Sequence, residues 1–188
     1  YNLFHGGASS GLWGDDDYLD RRLEMVVSEL RALDPDVVGL QEASIGRGRG
    51  NVAERLARAL GFQYAHAPAT PHAIPGIGGL IAWAMNFSEG PAVLSRFPIV
   101  ASEVHRLPRC RRWFEPRVLL RAEIETPWGR LDVYSTHLSR DDCQVERVGE
   151  VVRTRPGPLP AIVTGDFNAT ETLPAIAALT NGAGLVDT

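Results

Sequence analysis

The chain has 188 residues with 44% hydrophobic and 22% charged side chains, the balance of one globular domain that can bury a core without staples. Its formal net charge is −4 and all 19 basic side chains are arginine, which excludes Schiff-base, P-loop and kinase-strand lysine chemistry and disfavours a protein that coats nucleic acid with its whole surface. Two cysteines, Cys110 and Cys143, exclude four-cysteine zinc sites and iron–sulfur clusters, and leave open whether they pair.

Tyr1-Asn2-Leu3-Phe4 reads as the tail of a strand already under way, so an upstream segment is expected. No leader is visible, an absence that carries little weight for a chain expected to be clipped upstream; the compartment is open, with the cytoplasm slightly favoured over secretion. No run of 18 apolar residues exists, so no stable membrane insertion is expected. Residues 6–17 form a Gly/Ser/Asp loop. Over 18–33, Leu19, Leu23, Val26, Val27, Leu30 and Leu33 recur at helical spacing, and Asp34-Pro35 stops the helix. Residues 36–42 are a short buried strand ending in polar residues. Asn51 and Glu54 match a capping box, and Gly61 closes the helix it opens. The Pro- and Gly-rich stretch 67–79 is a long loop. Strands follow at 80–85, 92–95 and 99–106, then a hairpin of 118–125 with 130–135 around Pro127-Trp128-Gly129. A helix over 141–153 carries Val145, Val148, Val151 and Val152 on its apolar side. A loop at 155–158, a buried strand at 161–165 and a last helix at 171–179 complete the chain. Hairpins mixed with crossovers predict sheets packed between helices rather than one alternating parallel sheet.

Polar groups gather at the ends of these strands: Asn2, Glu42, Glu89, His137, Asp166 and Asn168. Strand ends are where α/β architectures collect ligands. In an extended segment Asp166 and Asn168 share a face while Phe167 packs behind. Each has a plain alternative. Asp-x-Asn after Gly commonly forms a turn bonded to its own backbone, Glu42 and Glu89 can be solvated charges, His137 can be structural, and Asn2 can cap a loop. Together they suit a hard, oxygen-bound cation and a phosphate, with an aspartate to activate water.

The segments YNLFHG, DPDVVGLQEA, SEGPAVLSRFPI, YSTHLS and VTGDFNAT resemble, in order, the endonuclease/exonuclease/phosphatase superfamily. That group includes pancreatic-type deoxyribonucleases, apurinic endonucleases, neutral sphingomyelinases and inositol polyphosphate phosphatases. The resemblance implies an α/β four-layer sandwich: two mixed β-sheets face to face, flanked by helices. It implies Glu42 as metal ligand for Mg²⁺ or Mn²⁺, Asn2 as a contact to metal-bound water or phosphate, and Asp166 as the residue that orients or activates the nucleophilic water. It further implies Asn168 as a phosphate-positioning partner, His137 as a phosphate contact or proton donor, Glu89 as the partner of that histidine, and Arg117 as a phosphate-binding arginine. Arg117 read by itself is equally a solvated strand-end charge.

The family closes with a Ser-Asp-His motif, whereas Asp187 here is followed by Thr188. The expectation is a single incomplete domain, 1–188, lacking part of its first strand and its last strands, with apolar sheet surface left uncovered. The expected activity is metal-dependent hydrolysis of a phosphodiester or phosphomonoester. A nucleic acid or nucleotide-like substrate ranks ahead of a lipid headgroup or inositol/sugar phosphate, and no obligate protein partner is evident. Arg47-Gly48-Arg49-Gly50 is a phosphate-reaching or merely polar loop. Arg106, Arg109, Arg111 and Arg112 beside Trp113 and Phe114 suit phosphate contact and base stacking, or a salt-bridged surface. The apolar loop 74–79 could touch lipid. Two rival classes remain: a non-catalytic binding module on the same scaffold, and a serine hydrolase using Ser9 of Gly7-Ala8-Ser9-Ser10-Gly11, which lacks the helix that such an elbow needs.

Overall fold

The computed structural model describes residues 1–4, 18–69, 80, 88–109, 116–139, 142–155, 157–170, 174–183 and 185–186. In chain order the elements are α1 (Leu19–Leu33), β1 (Val37–Gly46), β2 (Gly50–Asn51), α2 (Val52–Leu60), β3 (Gln63–His66), β4 (Ser88–Ser95), β5 (Ile99–Arg106), β6 (Val118–Thr126), β7 (Gly129–His137), α3 (Asp142–Arg153), β8 (Ile162–Asp166) and α4 (Pro174–Ala183).

The strands form two four-stranded sheets, β2-β1-β4-β3 and β5-β6-β7-β8. Pairing is antiparallel except where α3 returns the chain so that β8 lies parallel to β7. Asn2 adds a parallel bridge to Gln41 in the first sheet. Three apolar clusters fill the three interlayer spaces. Leu19, Leu23 and Leu30 of α1 and Leu56 of α2 pack on Leu40 and Leu94 of the first sheet. Val93 meets Leu120, Ile124 and Val133 between the sheets. Leu119 and Tyr134 pack beneath Val145, Val148 and Val152 of α3. Four layers therefore result, as the resemblance implied.

Local signals explain the elements. The Asn51 side chain accepts from the backbone N–H groups of Ala53 and Glu54, and Gly61 ends α2 at φ 75°, a conformation that glycine enters without a Cβ penalty. The hairpin joins β6 to β7 through Pro127-Trp128, with Thr126 opposite Gly129. β1 runs four residues past its expected end, because a bulge between Leu40 and Ala43 interrupts the alternation without ending the strand. Leu33 is exposed at the tip of α1. The last helix spans Pro174–Ala183, its expected first residues 171–173 lying outside the described residues, and the strand expected over 80–85 lies outside them too apart from Leu80, which is helical. Ile162, on β8 at one end of the second sheet, is 45% exposed.

At Gly39 the sheets approach so closely that a Cβ would overlap the Thr164 hydroxyl. Cys143, in the first turn of α3, is disulfide-bonded. The sequence holds one other cysteine, Cys110. Among the described residues no helix is long and apolar enough to cross a membrane.

Candidate active site

Four segments deliver polar side chains to one mouth between the sheets. Glu42 sits on the β1 bulge at φ 58°, and such a bulge re-aims a side chain out of the regular alternation. His137 ends β7 and Asp166 ends β8, directly paired in the parallel ladder. Asn2 joins them: its Nδ2 donates to Glu42 Oε1 at 2.9 Å and to Asp166 Oδ2 at 3.2 Å. Its Oδ1 accepts the Phe4 N–H at 2.8 Å. One amide thus ties a carboxylate of the first sheet to a carboxylate of the second.

Asn168 reaches this cluster in a way that differs from expectation. It does not continue the extended strand; its φ is 49° and its backbone N–H donates to Asp166 Oδ1 at 2.9 Å. The plain reading of Asp-x-Asn as a self-bonded turn holds, and that turn is what carries Asn168 inward. Asn168 Nδ2 donates to the Leu138 carbonyl at 2.9 Å and lies 3.0 Å from His137 Nε2. The carbonyl contact fixes which end of the amide is nitrogen, so Nε2 accepts and the imidazole proton is assigned to Nδ1. Nδ1 faces Glu42 Oε1 at 3.5 Å, and Nε2 lies 3.8 Å from Asp166 Oδ2. In this arrangement Asn168 orders His137 and Asp166, with both amide hydrogens engaged.

Burial, then the charge of Arg117, lowers the His137 pKa against the opposing pull of Glu42, Asp166 and Glu89. The ring is therefore neutral at pH 7 and poor as a proton donor from Nε2. Burial pushes the Asp166 carboxyl up, but the Asn168 N–H and the Asn2 amide, helped by His137 and Arg117, hold it below the usual carboxylate range. Asp166 is thus ionised and able to orient water.

Arg117 is half-buried, with Nε donating to Ser139 Oγ at 3.3 Å. Glu89, on β4, pairs with Ser44 and bridges Ala69. It acts on His137 as the weakest of the three carboxylates. Arg49 is not in a loop free to reach phosphate: it is 5% exposed in the turn between β1 and β2, and its carbonyl accepts from Arg55. Arg111, Arg112, Trp113, Phe114, the loop 74–79 and Ser9 lie outside the described residues.

Sequence reasoning did not single out two supporting side chains. Ser139 holds Arg117, and buried Gln144 accepts the Ser139 N–H at 2.8 Å while donating to the Pro108 carbonyl at 3.1 Å. The one available signal was a glutamine on the otherwise apolar side of α3.

An open cavity of about 890 Å³ is lined by Asn2, Gln41, Asp166, Phe167 and Asn168. Among the described residues no group of three or more His, Cys, Asp or Glu converges to cage a metal. The donors present are a carboxylate only 6% exposed, a second carboxylate across one amide, and amide oxygen. That set fits Mg²⁺ or Mn²⁺, which take one or two carboxylates and fill the remainder with water and phosphate oxygens.

No curated protein matches the chain significantly. Solved structures do. The human nocturnin catalytic domain with bound sulfate anion is 22% identical, with TM-score 0.66 over 97% of this chain and 68% of that one. Sphingomyelinase C from Streptomyces griseocarneus is 20% identical, with TM-score 0.65 over 100% and 69%. Beta toxin from Staphylococcus aureus is 16% identical, with TM-score 0.68 over 100% and 70%. These likenesses establish the fold, and the profile of the Endonuclease/Exonuclease/phosphatase family matches residues 1–186. The chain therefore belongs to the endonuclease/exonuclease/phosphatase family.

Proposed function

We propose that the chain is the core of a divalent-metal-dependent phosphoesterase that hydrolyses a phosphodiester by in-line attack of water. The observation that carries this reading is the single Asn2 amide shared by Glu42 and Asp166. A structural sheet end has no need of two carboxylates held together, whereas phosphoryl transfer needs a cation site and a water-orienting base side by side. Mg²⁺ or Mn²⁺ held by Glu42 would polarise the phosphoryl oxygen. Asp166 accepts the proton of the attacking water. Asn2 keeps the two carboxylates in register, and Asn168 fixes Asp166 and the His137 ring. Neutral His137 contacts a phosphate oxygen or steadies Glu42 through Nδ1–H. Arg117 supplies positive charge beside the mouth, and Glu89 tempers it.

Nucleotide-like phosphodiesters rank first among substrates, and the sulfate bound by nocturnin shows a similar fold holding a tetrahedral oxyanion. A lipid-headgroup phosphodiester is the second reading, favoured by the likeness to a sphingomyelinase. The disulfide at Cys143 supports an oxidising compartment over the cytoplasm.

The test is hydrolysis of bis(p-nitrophenyl) phosphate with Mg²⁺ or Mn²⁺ and an EDTA control. Asp166→Asn is expected to lower kcat by about 10²–10⁴-fold, and Glu42→Gln to weaken the metal response by about 10–100-fold. Turnover indifferent to EDTA and to both substitutions would overturn the assignment.

A further inference from the structure

Glu42 keeps its place at a conformational cost. Its φ of 58° lies in the left-handed region, where a non-glycine residue persists only if its surroundings over-determine it. The Asn2 amide holds the carboxylate, but at the far end of the side chain. The backbone that aims that side chain is the bulge, where the register of β1 on β4 breaks between Leu40 and Ala43. Both residues that bracket the break have their carbonyls met by side chains from other strands. Ser135 Oγ, on β7, donates to the Leu40 carbonyl at 2.9 Å. His66 Nε2, at the end of β3, lies 3.0 Å from the Ala43 carbonyl. A carbonyl only accepts, so the ring proton is assigned to Nε2.

The Ser135 contact crosses from one sheet to the other. Ser135 stands opposite Leu120, a member of the cluster between the sheets, so its side chain projects towards the first sheet. It is fully buried, and its oxygen also accepts from Nε2 of Gln41, itself buried, at 3.4 Å. The one hydroxyl proton goes to Leu40, and a lone pair takes the Gln41 amide. Burying a hydroxyl in an apolar layer is unfavourable unless it is hydrogen-bonded. Here the bonds it makes fall on Leu40 and Gln41, the two residues that lead into Glu42.

We propose that Ser135 is a positioning residue: its hydroxyl, with His66 at the other end of the bulge, holds the backbone of β1 in the conformation that turns the Glu42 carboxylate into the mouth. Ser135 acts through the backbone rather than on substrate or metal. Its catalytic meaning rests on the phosphoesterase reading, which gives Glu42 the cation.

The first readout needs no metal. In the full chain in EDTA, Ser135→Ala is expected to speed amide hydrogen exchange over residues 41–43 about fivefold, what one buried hydrogen bond contributes, with α3 unchanged as the internal reference. Ser135→Thr keeps the hydroxyl and should restore slow exchange. His66→Leu releases the other end of the bulge and serves as the second variant should Ser135→Ala fail to fold. Exchange over 41–43 that stays unchanged, or that rises equally in α3, overturns the proposal. The second readout is Mn²⁺ binding by calorimetry. Ser135→Ala is expected to weaken it about tenfold and to add nothing in the Glu42→Gln background. Mn²⁺ affinity unmoved by Ser135→Ala where Glu42→Gln lowers it, or an equal loss with and without the Glu42 carboxylate, would show that Ser135 does not act through Glu42. Faster exchange at the bulge of a chain that binds no Mn²⁺ would sink the phosphoesterase reading and leave the hold of Ser135 on the bulge standing.

Discussion

Asn2 is a small side chain on which two charges depend. Its amide is one of the donors that hold the Asp166 carboxyl low. Asn2→Ala removes that donor, so the Asp166 pKa moves up towards its ordinary value. The acidic limb of the kcat/KM–pH profile is then expected to shift to higher pH, with a smaller change on the alkaline side. An unmoved acidic limb would show that Asp166 is not the titrating base. Asn2, Glu42, His137 and Asp166 were picked out in the sequence as polar residues after apolar runs, and the structure brings their side chains together, with Glu42 coming from a bulge inside β1 rather than from a strand end. The tautomer of His137 was not, since it depends on the left-handed turn that swings Asn168 onto Nε2. Nor were Ser139 and Gln144, which matter only through contacts between distant elements.

Elements were legible where one local device defines them. The cap at Asn51 was read from four residues, and the structure places its side chain on Ala53 and Glu54. Asn51→Ala is expected to destabilise the protein by about 1 kcal/mol, measured by urea unfolding. An unchanged midpoint would mean that α2 is held by Leu56 and its packing alone. Elements were misread where an irregularity is the point. The bulge that ends the alternation in β1 is also what turns Glu42 towards the mouth. A short strand followed by polar residues and a long strand bulged at its functional residue have the same hydrophobic pattern.

At the scale of the molecule, acid should be the weakness. His66 lies at the end of β3, its Nε2 against the Ala43 carbonyl and its buried Nδ1 without a hydrogen-bond partner among the described residues. Burial, only partly offset by that carbonyl, lowers its pKa from 6.5 to about 4. His105 and His137 are lowered as well. Unfolded histidines take up protons first as pH falls, so the stability from the neutral rings is full above pH 6.5 and drains away towards pH 4. For His66 alone the loss is on the order of 3 kcal/mol. Urea unfolding at pH 7 and pH 4.5 measures it, and His66→Gln should flatten the difference; an equal slope in the variant would exonerate His66. The layered architecture itself was legible because amphipathic helices and a hairpin leave few ways to cover two sheets. The face-to-face pairing of those sheets came from the family resemblance, not from periodicity.

The contact at Gly39 has a mechanical meaning. Glu42 lies three residues beyond it on β1, and Asp166 two residues beyond Thr164 on β8. The sheets are thus riveted just behind their jaws, with no slack for a methyl group at the rivet. Jaws so pinned have a fixed gauge: the gap between them is inherited from the fit of the Thr164 side chain against Gly39 rather than from the attraction or repulsion of the acids on either side. On the proposed reading, the spacing between the Glu42 and Asp166 carboxylates stays constant through turnover, because it is set where β1 and β8 meet.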